Sequence, residues 1–497
     1  MRLRVDWRTS LSLVGTVLKW LWVPLLIPIG VALYYGEPLT PFLVAIGVTV
    51  LAGSGLEFAW ERGDLGGREA FLMVALVWLG IAAVGAIPFL VAGDGTIAQP
   101  VNALFESMSG ITTTGATVLV DFDVHARSVL MWRSVLQWLG GLGILVLATA
   151  VLATLSVGGA QLMETETQVQ SVNKLTPSIR ETAGLLWSIY VGLTALAIAV
   201  LYGLHLLGLA PSMTLYDAIA HAFTSVSTSG FSPRAESIGA FSPAVQWTMI
   251  PFMGMGATSF VLIYHVLGGD VRRPLRSEEF RFYLLVLGTL GAAVAALVFL
   301  DPETTYGSVA TVRHGLFQVV SIVTTTGYAT VDFDLWSPAA KHLLFVGMFL
   351  GGMAGSTTCS IKLVRWLVVL KGFRRDLFTA IHPEAVRPVR LSGSVVDEST
   401  VRDVYAYTLI SLLIFFAATV FVVADGARVG ANVGEFEAMG AAASTFLNIG
   451  PAFGGAGPFG SYVAFPESTR VVMIALMWIG RLEVIPVMVM LTPAFWR

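Results

Sequence analysis

Twice the sequence writes nearly the same polar phrase, TTTGATVLVDFD at 112–123 and TTTGYATVDFD at 324–334. Two related runs end in glycine elsewhere, Ser227-Thr228-Ser229-Gly230 and Leu447-Asn448-Ile449-Gly450. What these residues offer is oxygen. Thr112, Thr113 and Thr114 precede Gly115, and Thr324, Thr325 and Thr326 precede Gly327, so three of the four runs carry small hydroxyl side chains that add oxygens or brace the backbone from behind. Glycine reaches backbone angles that a β-carbon resists, and a chain turning there aims its carbonyl oxygens to one side. Rings of such oxygens replace the water shell of a small monovalent ion, whose transfer into low dielectric otherwise costs on the order of 20 kcal/mol.

The surrounding elements must hold these runs at membrane depth. The chain of 497 residues is 56% hydrophobic and 12% charged, with a mean hydropathy of +0.78. A soluble domain carries roughly 25% charged residues, so lipid is the solvent for most of this chain. Apolar runs of spanning length fall near 18–36, 39–59, 70–92, 129–157, 184–209, 241–268, 281–300, 338–370, 404–424 and 470–492. The last eight pair up, and inside each pair lies a segment too short to cross: 103–116, 218–231, 315–328 and 438–451. The unit is span, short helix, glycine turn, span, written four times. The basic start MRLRVDWRTS reads as leading into a retained first membrane helix. With the N-terminus cytoplasmic, the inward stretches hold 21 Lys and Arg and the outward ones 7, as the positive-inside rule requires. All four short segments then face outward.

Irregular backbone at membrane depth survives only when buried in protein or lining a watery cavity. A short helix that dips in and returns as extended chain is a re-entrant pore loop, its C-terminal end carrying partial negative charge toward the axis. Asp121, Asp123, Asp332 and Asp334 follow two of the loops and either concentrate cations at the outer mouth or cap turns. Glu106, in the first short helix, is expected to satisfy backbone donors behind the filter.

The motifs TTTGA, STSGF, TTTGY and LNIGP, with QWLGGLGI (137–144), GGMAGSTTCSIK (351–362) and MWIGRLEV (477–484), resemble those of the Trk, Ktr and HKT superfamily of potassium transport proteins. The two extra N-terminal spans are similar to its TrkH branch. The resemblance implies an all-α polytopic membrane protein of about ten spans, with four pseudo-symmetric helix–pore loop–helix repeats around a central pore. It divides the chain into a hairpin at 1–62 and pore units at 63–160, 161–270, 271–375 and 376–497. It implies potassium uptake through a filter at the four glycines. Sodium-preferring relatives carry serine at the first of these, which here is Gly115.

The run Gly351-Gly352-Met353-Ala354-Gly355-Ser356-Thr357-Thr358-Cys359-Ser360 is too rich in glycine and serine for a steady helix. In the family such a stretch is the intramembrane loop that blocks the pore. Relatives often carry two glycines where this chain has Cys359-Ser360. Arg481 matches the family arginine that projects into the cavity and contacts that loop, and Lys362 is placed to snorkel toward the inner surface. The resemblance further implies a homodimer and a TrkA-like cytoplasmic nucleotide-binding regulator docking on the inner basic stretches 272–281, 371–376 and 387–390. Anionic lipid headgroups are the plainer ligand of those stretches.

The lone Cys359 rules out an intramolecular disulfide. The seven histidines show no i, i+4 pairing, no nucleotide or catalytic motif occurs, and an intramembrane enzyme finds no clustered nucleophile and base. K⁺ as cargo, with no organic cofactor, is the expectation. The competing reading is a secondary cation transporter coupled to H⁺ or Na⁺ with inverted repeats; that arrangement puts two short segments on the opposite face.

Overall fold

In lipid, long apolar runs satisfy their backbone only as helices, and the described residues are mostly helical, with one short antiparallel hairpin, Arg390–Leu391 with Ser394–Val395. The computed structural model describes residues 5–60, 63, 66–150 and 179–496. Six described helices are long and apolar enough to cross a membrane: Trp7–Tyr35, Thr40–Ala59, Gly67–Ala92, Glu181–Leu206, Glu278–Leu300 and Glu398–Val429. The helix Arg127–Ala150 lies where the second span of the first unit is expected. The expected continuation to 157, and the inward stretch as far as 178, lie outside the described residues.

Three expectations change. The first span begins at Trp7, well before residue 18, and turns once near Trp20. Its opening helix packs on Thr40–Ala59 through Gly15 and Gly53, where a β-carbon would meet the partner backbone within 3.0 Å. The spans expected at 241–268 and 470–492 are each broken, not continuous. Pro243–Gly256 and Phe260–Leu267 meet at 103°, and Glu467–Arg481 and Val484–Met490 at 109°. The span at 338–370 is interrupted as expected: Pro338–Met348 is helical, residues 349–362 are not, and Leu363–Ile381 resumes.

These breaks answer one another. Interrupting a helix frees backbone groups that lipid cannot satisfy. Ala257 O accepts from Met353 N at 2.9 Å, and Phe260 N donates to Gly355 O at 3.0 Å. The irregular loop of the third unit thus satisfies the gap in the second. In the fourth unit Glu483, at φ 58°, turns the chain and pairs with buried Arg365, whose guanidinium lies 3.8 Å from the Tyr407 ring centre.

The four short helices are Pro100–Ile111, Leu215–Val226, Ser308–Val323 and Glu435–Leu447. At 1.5 Å per residue, twelve residues reach about 18 Å, roughly half a bilayer. Proline at the first position starts one, and a capping box between Thr214 and Asp217 starts another. Each short helix packs against the second span of the unit before it. Leu215–Val226 meets Arg127–Ala150, Ser308–Val323 meets Pro243–Gly256, and Glu435–Leu447 meets Pro338–Met348. Pro100–Ile111 meets Glu467–Arg481, which closes the ring.

Candidate functional site: a ring of four glycine turns

The first structural requirement of the four turns is room. A β-carbon on Gly115 would fall within 3.0 Å of Ser229 O, one on Gly230 of Thr326 O, one on Gly327 of Ile449 O and one on Gly450 of Thr114 O. Each glycine therefore lies against the residue that precedes the glycine of a neighbouring unit, in the order one, two, three, four, one. All four turns sit at one level around one axis.

The second requirement is backbone conformation. The glycines have φ of 81°, 72°, 81° and 110°, and two positions earlier Thr113, Thr228, Thr325 and Asn448 have φ of 55°, 50°, 51° and 56°. Left-handed backbone at alternate positions turns successive carbonyls to the same side. The N–H groups face back toward the helix. Thr114 N donates to Ser109 O at 2.9 Å, Ser229 N to Thr224 O at 2.9 Å, Thr326 N to Ser321 O at 2.8 Å and Ile449 N to Ser444 O at 2.9 Å. Three non-glycine threonines held left-handed cost roughly 1–2 kcal/mol each, so the surroundings must over-determine the shape.

The hydroxyls supply that bracing. Thr112 and Thr114 bond through their Oγ1 atoms at 2.7 Å, Ser227 and Ser229 through Oγ at 2.5 Å, and Thr324 and Thr326 through Oγ1 at 2.8 Å. In the fourth unit Asn448 takes over: its Nδ2 donates to Thr114 Oγ1 at 2.8 Å and to Met477 O at 2.9 Å. Leu447 and Ile449 are buried and apolar, so this unit lacks the hydroxyl pair.

Some bracing residues escaped the sequence reading. Gln137 is fully buried; its amide nitrogen donates to Ser229 O at 2.6 Å, and its amide oxygen accepts from Ser229 Oγ and Phe231 N, each at 2.9 Å. Arg133, counted among outward charges, is buried and pairs with Glu106 at 2.7 Å. Glu106 also accepts from Val118 N at 2.8 Å and Thr117 Oγ1 at 2.9 Å, behind the first turn as expected. The available signal was a polar or charged side chain inside an apolar span.

Outside the turns lies a cavity of about 240 Å³ lined by Gly115, Gly230, Gly327 and Gly450, with Arg234 and Phe459 on its wall. Asp121, Asp123, Asp332 and Asp334 do not line it. Asp121 accepts from Asp123 N at 2.9 Å, Asp332 from Asp334 N at 3.0 Å, and Asp334 from Gly454 N at 3.0 Å. Asp121, Asp332 and Asp334 thus cap turns, and burial raises the pKa of Asp332 above the ordinary carboxylate value.

Inside the turns lies the irregular loop. Gly351 and Gly352 are needed for space, since a β-carbon would meet Cys359 O at 2.5 Å and Thr358 Oγ1 at 2.6 Å. Gly355 and Ser360 have φ of 73° and 62°. Ser356 Oγ bonds Thr358 Oγ1 at 2.7 Å. The loop touches the turns directly: Thr357 Oγ1 lies 3.0 Å from Thr228 Oγ1, and Cys359 N donates to Thr325 Oγ1 at 3.1 Å. Arg481 is buried and donates to Thr357 O at 3.1 Å, Cys359 Sγ at 2.8 Å and Gly140 O at 2.7 Å. Lys362 does not snorkel; it is buried, turned back onto Thr358, donating to its carbonyl and, at 2.9 Å, to its hydroxyl. A freed carbonyl near the loop is a closer partner than the distant aqueous face.

The chain matches the family model described as TrkH, cation transport protein, over residues 41–496. It is 37% identical over 500 residues to the Trk system potassium uptake protein TrkH of Halomonas elongata, covering 99% of each chain. Identity to the protein of that name from Escherichia coli K12 is 35% over 441 residues, covering 88% of each. The crystal structure of the potassium transporter TrkH from Vibrio parahaemolyticus superposes with a TM-score of 0.87 at 31% identity, covering 99% of this chain and all of that one. With four glycine turns closed into a ring and an irregular loop beneath them, this chain is a multi-span membrane protein, not an enzyme, and belongs to the TrkH cation transport protein family.

Proposed function

We propose that this chain is the pore subunit of a Trk-type system for potassium uptake across the cell membrane, with its N-terminus in the cytoplasm. The carrying observation is the ring closure of Gly115, Gly230, Gly327 and Gly450. Four parallel loops at one level are what a single-axis filter needs and what an inverted repeat does not give, which disfavours the coupled transporter. The filter comprises residues 112–115, 227–230, 324–327 and 447–450, whose backbone oxygens stand in for the hydration shell of K⁺. An inside-negative potential contributes about 2.3 kcal/mol per charge per 100 mV, enough to drive concentrative uptake without a second ion.

The gate is the loop 351–360 with Lys362 and Arg481. It lies under the filter, and the Arg481 charge beside it raises the barrier to cations. The chain divides into the hairpin 1–62 and pore units 63–160, 161–270, 271–375 and 376–497. Two copies pair, and a TrkA-like nucleotide-binding regulator acts on the inner face, where Arg272, Arg273 and Arg276 cluster.

Rubidium uptake into vesicles holding the purified full-length chain tests the reading. Uptake competed strongly by potassium and weakly by sodium is expected. Uptake that needs a proton or sodium gradient overturns the pore mechanism.

A further inference from the structure

We infer that Arg234, held on Asp217, is a charge screen at the outer mouth that sets the affinity for the entering monovalent ion and holds off divalent cations. This rests on the potassium-filter reading above and adds a selection by charge ahead of it.

The cavity outside the four glycines is an unexpected entrance for a cation. None of its lining residues is acidic, and the two charged ones are Arg133 and Arg234. Arg133 is buried against Glu106 and donates to Ser232 O and Thr117 Oγ1, each at 3.1 Å. Its charge is compensated where it lies and does not reach the water of the mouth. Arg234 does. Its Nε donates to Asp217 Oδ1 and its Nη2 to Asp217 Oδ2, each at 2.9 Å, a two-pronged pair. The arginine side chain is 45% exposed and the aspartate side chain 0%. Asp217 is fixed further by the Thr214 hydroxyl at 2.6 Å, in the first turn of Leu215–Val226. The pair is neutral as a whole, but its positive half meets the cavity and its negative half is packed into protein.

A fixed charge beside the path changes the local concentration of an ion according to that ion's valence. Coulomb energy is proportional to charge, so a positive group that lowers a monovalent cation by some factor lowers a divalent one by the square of that factor. Carbonyl dipoles attract cations of either valence. A mouth that penalises double charge therefore supplies a discrimination that a ring of oxygens does not. The net charge of the pair fixes the direction of each change. Losing the arginine charge leaves the mouth more negative, and losing the aspartate charge leaves it more positive.

The test is rubidium uptake into intact cells that lack their own potassium uptake systems and produce the full-length protein. Two readings are taken: the half-saturating rubidium concentration, and the external barium concentration that halves uptake at rubidium well below saturation. Neither depends on how much protein folds. Arg234→Gln is expected to lower the first about threefold and the second about ninefold. Asp217→Asn is expected to move both the other way, the double variant to return both toward the unmodified values, and Arg234→Lys to preserve them. Unchanged readings in Arg234→Gln overturn the inference, whatever happens to maximal uptake. So do equal shifts for the two ions, or shifts of the same sign in Arg234→Gln and Asp217→Asn, which mark a structural role. Absence of rubidium uptake by the unmodified protein overturns the potassium reading itself, and this inference with it.

Discussion

Arg481 donates to Cys359 Sγ at 2.8 Å and, through the same amino group, to Thr357 O at 3.1 Å. The residue that stands where relatives often carry glycine is thus used as a tether for the arginine. A hydrogen bond from a charged donor contributes about 1.5–3 kcal/mol. Arg481→Ala is expected to raise rubidium flux in the absence of any regulator by about tenfold or more. Cys359→Ala removes one of three contacts and is expected to raise it less. Flux at the unmodified level in both variants would confine the pair to a structural role.

The ring of glycines makes a selectivity prediction. A β-carbon at 115 or 230 must displace the carbonyl of Ser229 or Thr326, and a left-handed φ resists any side chain. Gly115→Ser is expected to lower potassium preference over sodium by about an order of magnitude, roughly 1.4 kcal/mol. Sodium competition against rubidium uptake measures it. Gly230→Ala, with its neighbour oxygen closer still, is expected to reduce uptake itself.

Glu106 and Arg133 are both fully buried and joined at 2.7 Å. Breaking such a pair leaves an uncompensated charge, at a cost of about 3–5 kcal/mol. Arg133→Met is expected to lower the thermal midpoint in detergent by several degrees. The double variant Glu106→Met with Arg133→Met is expected to recover part of that loss. Equal destabilisation in the single and double variants would remove the charge argument.

His125, in the loop before Arg127–Ala150, is buried with no partner for either ring nitrogen among the described residues. Burial lowers its pKa from the ordinary 6.5; Arg133 adds to this, while Asp94 and Asp121 oppose it. A histidine whose folded pKa is depressed is held neutral, so stability is full above the unfolded value and falls as pH drops below it. Unfolding midpoints in detergent are expected to decline from about pH 7 to about pH 5. His125→Gln is expected to flatten that decline, and an equal slope in both proteins would count against it.

Much of the architecture was legible because lipid simplifies the code. Period and length of apolar runs located the six described helices long enough to cross and the two bent pairs, and the repeated glycine turns located four short helices, since a membrane leaves helices as the only open choice for this pattern. Arg481 was legible as a lone charge in a span. Lys362 was misread because sequence distance to the aqueous face says nothing about a nearer carbonyl. The breaks at Gly256 and Glu483 were missed because what satisfies them comes from other units: Ala257 O needs Met353, and Glu483 needs Arg365.

The sequence alone determined that this protein lives in lipid, that it repeats one unit four times, and that each unit turns on a glycine. Those properties follow from local composition and spacing. Only the tertiary structure decided that Thr114, Ser229, Thr326 and Ile449 each abut the glycine of a neighbouring unit, that Gln137 and Arg133 brace the turns, and that the third unit's loop repairs the second unit's broken span. Apart from the Arg133–Glu106 pair, 27 positions apart, those are contacts between residues about a hundred or more positions apart, and they exist only once the ring has closed.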